Sequence, residues 1–253
     1  MEKATVQSID RALSIVEALA GEKEGLGVTE ISTRVGLHKS TVHRLLSALG
    51  ERGYVEQRSG GAYRLGMKIV ELSSLYLNQV ELKTEAQPYL RRLLQLTKQP
   101  VHLAMLEGLE IIYIDKIETI HSIRMYSQIG RRSPALCTAS GKALLSGLPD
   151  AELCEKIRGT KLPTYTSRSI TDPEALIKEI RLIRQRGWSR DDQEHEPGIR
   201  CIAAPIYDYR GNIVAAVSTS GLKQNITPAR DEEIAGFVMD AAHSISQRMG
   251  YRD

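Results

Sequence analysis

The chain has 253 residues, 42% hydrophobic and 26% charged, with a formal net charge of +3, a globular composition rather than a disordered one. No apolar run approaches the ~18 residues that span a bilayer, and Asp10, Arg11 and Glu17 break the apolar positions near the amino terminus, against a secretory signal. Cys137, Cys154 and Cys201 are widely spaced with no C-x-x-C pair, which argues against a disulfide framework or structural zinc site and for a reducing cytoplasm.

Val6, Ile9, Ala12, Leu13, Val16 and Leu19 recur at steps of three and four, predicting an amphipathic helix over about 6–20 that stops near Gly21. After the break GEKEGLG, Thr29 is the expected cap of a two-turn helix ended by Gly36. A third helix begins near Ser40, burying Val42, Leu45, Leu46 and Leu49 and ending at Gly50 or Gly53. At ~100° per residue, Ser40, Arg44 and Ser47 then point outward, flanked by His43 and Thr41, with Lys39 at the helix start. Small hydrogen-bonding groups around one arginine suit a major groove, where Arg can pair bidentately with guanine and Lys39 with a phosphate.

The stretch YVEQRSGGAYRLG reads as two short strands about a Ser-Gly-Gly turn. Three helices and such a hairpin make a winged helix-turn-helix, with Arg58 and Arg64 on the wing. Residues 38–68 hold six Lys or Arg against two acids, a local balance of +4 that leaves the rest of the chain near −1. Concentrated basic charge of this kind fits phosphate contacts. A solvated polar helix face, or a winged domain that binds protein, would share some of these features.

The stretch GMKIVELSSLYLN predicts a linking helix from Gly66 to about Asn78, and a further helix is expected at 82–97. Two strands joined through Glu107-Gly108 follow, then strands at Ser122–Ser127, Cys201–Tyr207 and Ile213–Ser220. A helix over 171–186 carries a capping box, Thr171-x-x-Glu174, with Pro173 in its first turn and Gly187 as its stop, and the last helix opens at Thr227-Pro228. Hairpins flanked by helices predict an α+β domain with an antiparallel sheet.

The segments VQSIDRALSIVEALA, VTEISTRVGLHKSTVHRLLSALGERGYVEQ and YRLGMKIVEL resemble, in order and spacing, the DNA-binding domain of the isocitrate lyase regulator (IclR) family of bacterial transcription factors. PALCTASGKALLSGL and DDQEHEPGIRCIAAPIYDYRGNIVAAVSTSG resemble the signature stretches of that family's effector domain. The resemblance implies a winged helix-turn-helix at 5–66, a linker helix at 67–80 and a GAF/PAS-like effector-binding domain at 81–253. It also implies a homodimer or homotetramer on a palindromic or near-palindromic double-stranded DNA operator. RMYSQIGRRSPALCTASGKALL and GIRCIAAPIYD resemble the regulators of sugar-acid catabolism, including repressors that answer to 2-keto-3-deoxygluconate; an aldonate or another small organic acid is the alternative effector. Carried over motif by motif, the pocket positions fall on Met125, Ala139, Ser140, Asp191, Cys201, Ser218 and Ser220.

Physically, these residues suit a hydroxylated carboxylate. A helix beginning near Ala139 offers unpaired N–H groups to an anion, and Ser218 and Ser220 share one side of a strand. No cofactor, metal or membrane partner is expected. ASGKA lacks the glycine and the magnesium-binding hydroxyl of a phosphate loop, and His102, His121, His195 and His243 show no paired ligand spacing. Cys201, His195 and Asp191 lie close enough in sequence to suggest a thiol hydrolase, but nothing in the sequence fixes a nucleophile-base contact. A metal bridging Asp191, Glu194 and His195 is a further alternative.

Overall fold

The amino-terminal periodicity becomes three helices, α1 (Gln7–Ala20), α2 (Val28–Val35) and α3 (Lys39–Glu51), followed by a hairpin of β1 (Val55–Gln57) and β2 (Tyr63–Leu65). The computed structural model describes residues 6–72, 81–118 and 127–252, and the chain divides into two compact units, Met1–Gln79 and Val80–Asp253. In the first unit Ile15, Leu19, Leu26, Ile31, Val42, Leu46 and Val55 close one core; truncating a large buried side chain of this sort costs about 2–5 kcal/mol.

Two expectations change here. On α1 the core-facing residues are Ile15 and Leu19, while Val6, Ile9 and Leu13 remain exposed; the apolar stripe is wider than the surface it meets in this unit. On α2 the cap is Gly27, not Thr29, and the Glu30 carboxylate accepts the Gly27 N–H at 2.7 Å. Gly36 ends α2 at φ 65°, a left-handed position that its lack of Cβ makes cheap, and this sets the turn into α3. The hairpin register pairs Val55 with Leu65 and Gln57 with Tyr63. Residues 67–72 are helical; the rest of the expected linking helix, the 122–126 part of an expected strand and Met125 lie outside the described residues.

The second unit contains α4 (Glu81–Thr97), β3 (Val101–Glu107), β4 (Glu110–Ile117), β5 (Arg132–Pro134), α5 (Ala139–Leu145), α6 (Asp150–Arg158), α7 (Pro173–Arg186), β6 (Ser189–Asp192), β7 (Ile199–Tyr207), β8 (Ile213–Leu222) and α8 (Asp231–Arg248). Its six-stranded antiparallel sheet runs β5-β4-β3-β8-β7-β6. α4 and α8 pack together and against β3, β7 and β8, while α5 packs against β6, β7 and β8 with α7 behind it. Alternation along each strand divides the side chains: Leu103, Val217, Ile202 and Ile206 are buried away from the group that clusters with α5, namely Ala104, Ile111, Ala203 and Ala216.

At α7 the cap is Asp172 rather than Thr171; its carboxylate accepts the Glu174 and Ala175 N–H groups, with Pro173 opening the helix. α8 starts at Asp231, after a single turn of 3₁₀ helix at Pro228–Arg230. β5, α6 and β6 have no counterpart in the sequence reading.

Candidate functional site

In α3 the inward residues are Val42 and Leu46, both buried, with Leu45 and Leu49 half-buried. Lys39, Ser40, His43, Arg44 and Ser47 are exposed along the opposite face, and Thr41 is half-buried at its edge. The wing arginines are not idle. Arg58 donates to Glu24 at 2.9 Å, and Arg64 donates to Glu56, its cross-strand neighbour. The Arg58 pair is exposed and the Arg64 pair only half-buried at the surface, so both hold the guanidiniums weakly, at about 0–1 kcal/mol each.

In the second unit a cavity of about 350 Å³ opens between the sheet and the start of α5. Six of the sequence-predicted positions line it: Ala139, Ser140, Asp191, Cys201, Ser218 and Ser220. Two strand pairings explain why. Asp191 on β6 lies opposite Cys201 on β7, which lies opposite Ser220 on β8. One step along the same face, Ala203 lies opposite Ser218, which lies opposite His102 on β3. The Ser140 hydroxyl donates to Ser218 Oγ at 3.0 Å and so ties α5 to the second row.

Gly141 lets the first turn of α5 fold tightly on the chain that leads into it; a Cβ there would sit 2.2 Å from the Ala135 carbonyl oxygen. The Thr138 hydroxyl accepts the Gly141 N–H at 3.2 Å, leaving the N–H groups of Ala139 and Ser140 as the unladdered donors of the first turn. Lys142, fully buried, donates to the Glu194 carboxylate. Glu194 Oε2 is buried without a partner among the described residues, and burial raises the Glu194 carboxyl despite Lys142.

Asp191 is 3% exposed. Burial pushes its carboxyl up to about 7, against the lowering effect of Lys142. Its Oδ1 accepts the Glu194 N–H at 2.6 Å, a contact made possible by Gln193, whose φ of 63° is one of two positive values at non-glycine residues among those described. Such strain costs about 1–3 kcal/mol and gathers at functional sites. The turn is clamped from outside, Thr166 donating to the Gln193 carbonyl and Ser169 to that of Glu194, both at 2.7 Å. Arg200 fixes β6 on the other side, with Nε on Asp192 at 2.8 Å and both Nη atoms on Asp231 at 2.9 Å.

Sequence reasoning missed His102, Tyr113, Ser127 and Tyr165 on the cavity wall, and it set His195 beside Asp191 only as a hydrolase or metal alternative. Tyr113 could not have been read from alternation. A bulge between Leu103 and Ala104 sets Asp115 opposite Leu103 and Tyr113 opposite Ala104; Asp115 turns to α4, where Gln87 donates to it, and Tyr113 turns to the cavity. For Cys201, burial and the neighbouring Asp191 push the thiol well above its ordinary value, the opposite of what a thiolate nucleophile requires. No cluster of three or more His, Cys, Asp or Glu suited to a metal occurs among the described residues, and no helix among them is long and apolar enough to cross a membrane.

A family model described as the IclR helix-turn-helix domain matches residues 8–59, and one described as the bacterial transcriptional regulator IclR C-terminal matches residues 74–247. The chain is 38% identical over 250 residues to the HTH-type transcriptional regulator KdgR of Escherichia coli, covering 98% of this chain and 95% of that protein. It is 36% identical to the HTH-type transcriptional regulator XynR of the same species, covering 97% and 98%. Among solved structures, that of Thermotoga maritima IclR superposes with a TM-score of 0.83 at 32% identity, covering 98% of this chain and all of that one.

Proposed function

The chain belongs to the IclR family of bacterial transcriptional regulators, and from that premise we propose that it represses sugar-acid catabolic genes and releases its operator when a sugar acid such as 2-keto-3-deoxygluconate fills the cavity. Members of this family bind DNA to regulate transcription and are not enzymes. The observation that carries the effector reading is the wall of the cavity itself. Its hydroxyls on Ser140, Ser218 and Ser220 and a buried carboxyl on Asp191 face about 350 Å³ of space, a volume suited to a small polar metabolite.

In this reading the Ala139 and Ser140 N–H groups take the effector carboxylate, and Asp191 with Ser218 and Ser220 takes its hydroxyls. Lys39, Ser40, Thr41, His43, Arg44 and Ser47 meet DNA in the major groove, with Arg58 and Arg64 on the flanking phosphates. The protein acts as a homodimer or homotetramer, each dimer spanning two half-sites.

Footprinting on DNA flanking the protein's own gene, with and without saturating 2-keto-3-deoxygluconate, tests both halves. A specific footprint that weakens about tenfold or more with the sugar acid is expected. Protection that ignores every sugar acid would sink the effector assignment, and no specific protection at all would favour a winged domain that binds protein.

A further inference from the structure

Resting on the sugar-acid reading of the cavity, we propose that His102, oriented by Ser127, is a second ligand-binding point that takes a distal hydroxyl of the effector and selects a long polyhydroxylated acid over a short one. His102 lines the cavity yet is only 2% exposed. Its Nε2 is engaged with the Ser127 hydroxyl at 2.8 Å, while Nδ1 is buried with no hydrogen-bond partner among the described residues. A buried ring nitrogen left unmatched is destabilising unless a ligand group meets it. The ring is also held in place: the Tyr113 ring lies tilted against it with centroids 5.3 Å apart.

What His102 can meet is set by the sheet. The row Asp191–Cys201–Ser220 lies on β6, β7 and β8, and His102 stands one strand farther, on β3, opposite Ser218. Three strand spacings of about 4.8 Å therefore separate the strands of Asp191 and His102. A three-carbon acid with its carboxylate on the Ala139 and Ser140 N–H groups, at the β6 side where Ser189 donates to the Ala139 carbonyl, stops short of β3. A six-carbon chain, with a hydrogen bond of about 2.8 Å at either end, reaches it. Burial, reinforced by Lys116, holds the imidazole neutral, its value lowered to about 3, so the ring presents a donor or an acceptor to a hydroxyl rather than a cation to the carboxylate.

The test compares affinities of the full-length chain for 2-keto-3-deoxygluconate and for pyruvate, the three-carbon 2-keto acid, by calorimetry in the wild type, His102→Asn and Ser127→Ala. The wild type should prefer the six-carbon acid. His102→Asn should lose about tenfold for it, one hydrogen bond's worth, with pyruvate affinity unchanged within about twofold, and Ser127→Ala should lose less in the same direction. Equal losses for both acids, or no loss for either, would overturn the His102 subsite and leave the sugar-acid reading standing; a wild type that binds pyruvate alone would overturn both. A wild type that binds neither acid would overturn the sugar-acid reading itself, and this subsite with it.

Discussion

At Asp191 burial raises the carboxyl from 3.8 to about 7, and at His102 burial lowers the imidazole from 6.5 to about 3. The two pull stability in opposite directions. From about pH 4 to 7 the folded chain keeps a proton on Asp191 that the unfolded chain has released, so this group's stabilisation is present at low pH and lost as pH rises. From about pH 6.5 down to 3 the unfolded chain takes a proton that folded His102 refuses, so here stability is lost as pH falls. Each slope is about 1.4 kcal/mol per pH unit, and over the shared window they offset one another. Asp191→Asn keeps an oxygen for the Glu194 N–H and removes one slope; without ligand it should therefore gain stability relative to wild type as pH rises from 4 to 7. Urea unfolding across that range checks this, and a difference independent of pH would show that Asp191 is ionised throughout. On DNA, Arg44→Ala should weaken operator binding by about 1–3 kcal/mol and relax one base pair per half-site; an equal loss on all sequences in a binding assay would make Arg44 a phosphate contact. Of these residues, Arg44 was legible from helical angle alone and Asp191 only through its motif. His102 was not, because its place depends on a strand pairing 116 positions away, with Ser218, and on Ser127.

Among the elements, the wing carries its own check. The Glu56 carboxylate holds Arg64 across β1 and β2, so in free protein part of the basic charge that the sequence assigned to phosphates is already matched. Glu56→Gln should leave stability within about 1 kcal/mol and raise affinity for non-specific DNA several-fold, while Arg64→Gln should flatten the dependence of log affinity on log salt by about one. An unchanged salt slope in a titration series would place Arg64 away from the backbone. The elements themselves divide by how local their causes are. α3, α7, β7 and β8 are long and periodic or glycine-bounded, and they were legible. β5 (Arg-Ser-Pro) and β6 (Ser-Arg-Asp-Asp) carry no apolar alternation, because both are short edge strands, where polar residues and proline are favoured. Missing β6 hid the reason Asp191 meets Cys201. On α1 the helix was legible but its buried face was not, since periodicity gives a stripe and cannot say how much of it a neighbour covers.

For the whole molecule, effector control requires that a ligand in the second unit alter what the first unit does on DNA. A ligand can do this only through unequal affinity for two states of the chain, and the coupling is reciprocal. If saturating 2-keto-3-deoxygluconate weakens the operator complex tenfold, about 1.4 kcal/mol, then operator-bound protein must hold the sugar acid tenfold more weakly than free protein. Calorimetric titration of the sugar acid into the chain with and without operator DNA measures that second factor independently of the first. Matching factors are expected. A sugar-acid affinity unchanged by operator, alongside a footprint that weakens, would mean that the acid acts on DNA binding by a route other than occupancy of this cavity, such as a direct effect on the DNA face. His102→Asn sharpens the same measurement: by lowering affinity for the six-carbon acid alone it should shift the concentration at which the operator is released by the same factor, while the release at saturation keeps its full extent.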